Sequence, residues 1–198
     1  ARAADPREVR LGADAADLAE GKRSVLTGNV LMEKGVQVLG ADTATYDEPS
    51  EQFDAEGNVR FWTDALYLTG DRATMDLSTD AIAVNNATFL DADSHGRGSA
   101  VTVNLSGSDL ITVQGATYTT CNPGDADWEL RTDDLELNQL TDIGTAKNVT
   151  VRFKGVPIFY SPYLTFPLSS KRKSGFLVPS FRLSGEAGAE ITVPYYFN

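Results

Sequence analysis

The chain has 198 residues with a formal net charge of −11, 41% apolar and 23% charged side chains, one Cys and one His. This mixture suits one large domain, or one and a half small ones, and excludes wholesale disorder. The acidic balance excludes a nucleic-acid binder, which needs Lys and Arg against phosphate, and a lone Cys121 and a lone His95 exclude a zinc centre of the usual Cys/His kind.

Charge is unevenly spread. Residues 1–146 carry 10 Lys/Arg against 26 Asp/Glu, and residues 147–198 carry 7 against 2. The body is acidic and the tail basic and aromatic. That pattern reads either as an ordinary solvated face or as a tail that meets an anionic surface such as lipid head groups. No run reaches the roughly 18 apolar residues of a membrane helix.

Residues 1–21 form an N-terminal segment, partly irregular, in which Ala13 to Gly21 (ADAADLAEG) is expected to make one or two turns of frayed helix. It shows no signal-peptide pattern, so Ala1-Arg2-Ala3 reads as a mature end after cleavage or as an imposed boundary. Gly21-Lys22-Arg23-Ser24 has the close of a phosphate loop, but Ala16 stands where the first Gly belongs.

From residue 22 the sequence repeats. Gly28-Asn29-Val30 returns 29 residues later as Gly57-Asn58-Val59; Asn86-Ala87-Thr88, Gly115-Ala116-Thr117 and Lys147-Asn148-Val149 follow at a similar spacing. Gly and Asn tolerate positive φ at a sharp turn, and a period of this length signals a solenoid. Between the triplets the runs are short and alternating, as in Val59-Arg60-Phe61, Leu66-Tyr67-Leu68 and Leu135-Glu136-Leu137, which is the period of half-buried strands. Residues 22–168 are therefore expected to be all-β, a stack of strands forming two facing antiparallel sheets around one apolar lining. The expected lining is Val30, Met32, Leu39, Val59, Phe61, Leu66, Leu68, Met75, Leu77, Phe89, Val101, Val103, Val113, Leu135, Leu137, Val149, Val151 and Phe153. Ala44, Tyr46, Ala73, Ile82, Leu110 and Leu130 share that face, whereas Val36 and Val38 conflict with the register of Leu39. Such a stripe is either a closed, dry core or a ligand groove whose sheets splay beyond the usual separation of about 10 Å. The edge near Ser24 to Met32 is open to strand addition by another sheet.

Other constellations are weaker. Asp91-Ala92-Asp93-Ser94-His95-Gly96 opens like a calcium loop, but its twelfth position is Thr102 rather than Glu. Asp133, Asp134 and Glu136 fall on a strand whose outer face normally carries charge. Asn86, Asn104 and Asn148 head glycosylation-type triplets, which are common. Cys121 lies in Thr120-Cys121-Asn122-Pro123-Gly124, a turn signal, either as an unpaired surface thiol or with a partner elsewhere. No residue set for bond-making chemistry stands out, and no cofactor is implied.

After Lys147 the texture changes. Phe176 to Leu183 and Ala189 to Phe197 read as a hairpin around Ser184 to Gly188, close in length to membrane strands and ending in the aromatic residues Tyr195, Tyr196 and Phe197. Lys171, Arg172 and Lys173 precede it, placed either for lipid phosphates or as a solubilising turn. One hairpin cannot close a barrel, so the chain is expected to be a fragment of a longer protein.

The same region holds Gly155-Val156-Pro157-Ile158-Phe159-Tyr160-Ser161-Pro162-Tyr163, then Phe166-Pro167, then Arg172-Lys173-Ser174-Gly175-Phe176-Leu177-Val178-Pro179-Ser180-Phe181. These runs resemble the junction of the LPS-assembly outer-membrane protein family (LptD/OstA). Val193-Pro194-Tyr195-Tyr196-Phe197-Asn198, Leu26-Thr27-Gly28-Asn29-Val30 and Leu68-Thr69-Gly70-Asp71-Arg72-Ala73 look like it too, so the resemblance covers about residues 22–198. It implies a periplasmic β-jellyroll, or β-taco, over 22–168, and a linker with the first hairpin of a truncated outer-membrane β-barrel over 169–198. It further implies that lipopolysaccharide arrives from a periplasmic bridge of like-folded proteins. The lipid A acyl chains would then lie against the Val30-to-Phe153 lining, with Lys171, Arg172 and Lys173 near head-group phosphates, and a lipoprotein would plug the barrel. In the family a Cys after a Thr-Tyr-Thr-Thr-type run, here Cys121 after Thr117-Tyr118-Thr119-Thr120, pairs with one in the barrel; some members carry a further N-terminal Cys where this chain has Ala1-Arg2-Ala3. The place implied is the outer membrane, this portion mainly periplasmic. A carbohydrate-binding β-solenoid using Trp62, Tyr67 and Trp128, or a purely structural β-sandwich, are the alternatives.

Overall fold

A computed structural model describes residues 9–18, 20–64, 66–91, 95–107, 109–124 and 126–168, and the backbone of 175–176, 180–184, 188–192 and 195–196. Among the described residues there is no helix. The strands are β1 (Val9–Gly12), β2 (Ala15–Asp17), β3 (Arg23–Lys34), β4 (Gln37–Asp47), β5 (Gln52–Trp62), β6 (Leu66–Asp76), β7 (Ala81–Asp91) and β8 (Arg97–Ser106). They continue as β9 (Leu110–Tyr118), β10 (Trp128–Asn138), β11 (Ile143–Phe153), β12 (Val156–Pro167), β13 (Gly175–Phe176), β14 (Ser180–Ser184), β15 (Gly188–Thr192) and β16 (Tyr195–Tyr196). The first twelve form one antiparallel sheet in which each strand from β3 onward pairs with its sequence neighbours, while β1 and β2 lie side by side along β3. Ser180–Ser184 pairs with Gly188–Thr192, and Gly175–Phe176 with Tyr195–Tyr196.

The repeated triplets mark a crease. The pairing register jumps between Thr27 and Val30, between Gly40 and Thr43, and between Glu56 and Val59. Gly28 and Asn29 have φ of +77° and +43°, Gly57 and Asn58 of +76° and +44°, Asn86 of +48° and Asn148 of +52°. Asn is among the few side chains that enter this left-handed region readily. Each of these Asn residues also bonds across to the neighbouring strand. The Nδ2 groups of Asn29, Asn58, Asn86 and Asn148 donate to Oδ2 of Asp14, Asp42, Asp71 and Asp133 at 2.9, 2.7, 2.8 and 2.8 Å. A row of Asn–Asp pairs thus runs along the outside of the sheet, and Tyr160 extends it by donating to Asn148 Oδ1 at 2.9 Å. On the inside the facing pairs are small: Val30 with Ala41, Val59 with Gly70, Ala87 with Ala100, Ala116 with Thr132. A Cβ added at Gly70 would lie 2.6 Å from Val84 Cγ1.

The crease folds the sheet double. Lys34 ends β3, whereas Leu77 and Asp80 follow β6, which runs the other way, so they belong to opposite ends of the strands. In a flat sheet, strands of this length would hold those ends more than roughly 30 Å apart. Instead Lys34 Nζ donates to the Leu77 carbonyl at 2.6 Å and pairs with Asp80. The two facing sheets read from sequence are the two halves of one folded sheet, a β-taco, and they share a single core.

Two expectations are corrected here. The stretch from Ala13 does not form a helical turn: Ala15–Asp17 is strand β2, and Asp14 is the first acid of the crease row. The edge of the sheet is not β3, because β1 covers Leu31–Lys34 and β2 covers Val25–Thr27. Both corrections have one cause. β1 and β2 behave as one strand broken at Asp14, and Ala-rich polar sequence of that kind carries little strand signal.

Candidate functional site

The inner surface has two walls, one on each side of the crease. Cross-strand neighbours on the first are Met32, Leu39, Phe61, Leu68 and Phe89 in turn. On the second they are Phe53, Met75, Ile82, Leu105, Ile111 and Leu137. The lining changes character along the stack. Met32, Leu39, Val59, Phe61, Leu68 and Met75 are fully buried, as are Phe53 and Val84. Val103 and Val113 are buried further along, whereas Leu130, Leu135, Leu137, Val151, Phe159, Leu164 and Phe166 are only half-buried. The interior is thus closed toward β3 and opens toward β12, except at the crease itself, where Val149 and Ala146 of β11 stay buried.

The lips of the open part are apolar. Phe89, Tyr118 and Trp128 follow one another along the first lip, their ring centroids 6.4 and 6.0 Å apart. Phe153 pairs with Trp128 and stands 47% exposed, and Leu140 on the opposite lip is 78% exposed. Lys154 lies 5.9 Å from the Phe153 ring centroid. A partly exposed aromatic rim beside a basic residue suits an amphiphile whose tail is buried and whose head stays wet.

The outer surface is polar. A shallow depression of about 460 Å³ lies outside the crease, bordered by Asp42, Asn58, Arg60, Thr69, Asp71 and Asn86. Exposed ion pairs such as Arg72–Glu56 at 3.1 Å lie on this side and stabilise little. Thr132 is the buried polar residue of the crease, and its hydroxyl lies 2.7 Å from the Lys147 carbonyl and 2.9 Å from that of Asp134.

Most lining residues named from the sequence lie on the inner face, but two do not. Val101 is 59% exposed and points outward, because β8 passes the crease there and its neighbours Ala100 and Val103 take the inner positions. Leu110 also lies on the outer side, and Ile111 packs against the core in its place. Phe153 belongs to the rim rather than the buried wall. Trp128, read as a sugar platform, shares the inner face with Leu130 and is tilted against Tyr118. Leu26, Phe53, Ala55 and Val84 were not expected among the buried residues. Phe53-Asp54-Ala55 alternates as a strand should, and that was the available signal. Val36 is exposed in the β3–β4 turn, and Val38 faces Trp62 on the outer side.

Cys121 sits half-buried in the β9–β10 connection. The Thr119 hydroxyl foremost, then the backbone at Trp128, holds its thiol below the usual 9.0. Lys171, Arg172 and Lys173 lie outside the described residues, as do Ala92, Asp93 and Ser94 of the calcium-like loop. Among the described residues no group of three or more His, Cys, Asp or Glu is placed to hold a metal ion.

A single antiparallel sheet folded over one apolar lining defines an all-β protein of the β-taco class, and comparison with known proteins gives the family. The profile described as LptA/(LptD N-terminal domain) LPS transport protein matches residues 11–142. The chain is 39% identical over 175 residues to an LPS-assembly protein LptD of Pseudomonas putida (strain GB-1), which covers 88% of this chain and 19% of that protein. It is 32% identical over 196 residues to the LPS-assembly protein LptD of Shewanella sp. (strain MR-4), covering 99% of this chain and 26% of that protein. Among solved structures, LptH of Pseudomonas aeruginosa, described as the LptA-homologous periplasmic component of a lipopolysaccharide transport device, aligns at TM-score 0.44 and 15% identity over 50% of this chain and 76% of that one. The chain belongs to the LptA/(LptD N-terminal domain) LPS transport protein family. It spans about a fifth to a quarter of the length of the curated relatives it matches.

Proposed function

We propose that this chain binds lipopolysaccharide and passes it from a periplasmic bridge toward the outer membrane, with lipid A acyl chains against the inner walls and the sugars outside. The observation that carries this reading is the lining itself: apolar but for Thr132 at the crease, closed near β3 and half-exposed behind an aromatic rim near β12. Each methylene kept from water is worth roughly 0.8 kcal/mol, so moving one acyl chain of a dozen carbons through water costs on the order of 10 kcal/mol. An apolar trough removes most of that cost without any bond-making step, and the driving force comes through the bridge.

The bridge protein, of like fold, joins by strand addition at the β1–β2 edge, the outermost strands at the N-terminal end of the sheet. Residues 169–198 begin a β-barrel plugged by a lipoprotein, Lys171, Arg172 and Lys173 lie among head-group phosphates, and Cys121 finds its disulfide partner in that barrel. A photo-crosslinker at Leu135, compared with one at Val101, tests the reading: lipopolysaccharide adducts are expected at Leu135 alone. Equal yields at both positions, or none at either, would overturn it. The carbohydrate reading keeps one observation, the cross-strand pair Trp62–Tyr67 on the outer face, and predicts that Trp62 fluorescence responds to free oligosaccharide.

A further inference from the structure

We propose that Lys34 and Asp80 form a latch across the mouth of the folded sheet, which keeps the β3–β7 part of the trough shut until it is released. The proposal rests on the lipopolysaccharide reading above. Lys34 leaves the first lip at the end of β3, and its side chain is only 13% exposed. Its ammonium reaches the opposite lip, where it donates to the Leu77 carbonyl at 2.6 Å and to Asp80 Oδ1. Asp80 is held for this in the β6–β7 turn with φ of +58°. The bond does not follow the ladder, since strands β4 and β5 lie between its two partners in the sheet. It ties the lips rather than neighbouring strands.

At this end of the stack the lining is closed to solvent. Met32 and Met75 come from the first and second wall, and both are fully buried. Toward β12 the lips carry Leu140 and Phe153, which are exposed, and the lining behind them is half-open. An acyl chain therefore has access at the β10–β12 end in the resting protein. It reaches Met32 and Met75 only when the lips part, and parting them breaks a charge-assisted bond with a half-buried ammonium. The closed and open arrangements form a two-state element, and whatever engages the lips or the adjoining β1 edge biases it.

The sequence supplies its own reporters. Met32 and Met75 are the only methionines of the chain, so photo-methionine labels the latched section alone, and Leu135→Met adds a reporter at the open end. The full chain so labelled is incubated with purified lipopolysaccharide, irradiated, and its adducts mapped by mass spectrometry. Adduct at position 135 is expected well above that at Met32 and Met75. Lys34→Glu should raise the Met32 and Met75 adducts about tenfold, the population change expected on losing one charge-assisted bond. The swap Lys34→Glu with Asp80→Lys should return them to the starting level. Circular dichroism excludes an unfolded variant from the comparison, and Lys34→Gln, which removes the charge without adding a methionine, replaces Lys34→Glu if that variant unfolds. If Met32 and Met75 label equally in all variants while position 135 labels normally, the latch is refuted and the transport reading stands. If no position labels in any variant, the transport reading falls and the latch with it.

Discussion

The crease offers a quantitative test at Asn58. Its φ is +44°, and its Nδ2 donates to Asp42 Oδ2 at 2.7 Å on an exposed surface. Asn58→Ala removes the bond and forces a Cβ-bearing residue without a polar side chain into the left-handed region, a combined cost of about 1–2 kcal/mol. Asn58→Gly removes the same bond but suits the backbone, so it should cost only about 0.5 kcal/mol. Asp42→Ala leaves the backbone angle of Asn58 untouched and should resemble Asn58→Gly. Urea unfolding followed by fluorescence gives the three values, and a difference of 1 kcal/mol between the Ala and Gly variants moves Tm by about 2–4 °C in a chain of this size. If the Gly variant is as destabilised as the Ala variant, backbone conformation does not set the crease and the argument from positive φ fails. The same ordering is expected at Asn29, Asn86 and Asn148, whose geometry repeats that of Asn58.

Two further outcomes follow from the walls and turns. Phe61→Ala, at a position with no exposed surface, should destabilise by about 3–5 kcal/mol, whereas Val101→Ala on the outer face should stay within about 0.5 kcal/mol; equal losses in the same urea experiment would refute the assignment of faces. The Asp76 carboxylate accepts from the Ser78 hydroxyl and from the amides of Ser78 and Thr79. These bonds, the Ser78 hydroxyl foremost, hold its carboxyl below the usual 3.8. A lowered folded value means the carboxylate's support of the turn is complete above the ordinary value and fades as pH falls through the lowered one. NMR titration should therefore place the Asp76 midpoint below 3.8, with the Ser78 and Thr79 amide shifts following it; a midpoint at or above 3.8 contradicts the turn geometry.

Much of this architecture could be read from the residues because alternation and repetition are local signals. The 29-residue spacing of Gly28-Asn29-Val30 and Gly57-Asn58-Val59 marks the repeat, but it reads as turns between strands, whereas both triplets lie inside single strands, β3 and β5, that bend there; runs such as Val59-Arg60-Phe61 do place the inner face within each half-strand. Errors arose where the crease breaks that period. In β8 the inner residues are Ala100 and Val103, three apart rather than two, so a reading carried straight through the strand turned Val101 inward. Ala55, Ala87, Ala100 and Ala116 were overlooked because Ala carries almost no burial signal, although all are buried here. The bond between Lys34 and Asp80 was beyond sequence reasoning altogether. Its partners are 46 residues apart, and they meet only because the sheet is doubled over.

The row of small side chains inside the crease has a geometric consequence. Ala41, Gly70, Ala87 and Ala100 let the backbones at the fold line approach closely, and the space they leave governs how steeply one wall leans on the other. Bulk there acts as a wedge at a spine: a methyl group added at Gly70 meets Val84 at 2.6 Å and must push the halves apart. The width of the space between the walls is therefore controlled from its narrowest angle, by residues at the fold line rather than on the facing walls.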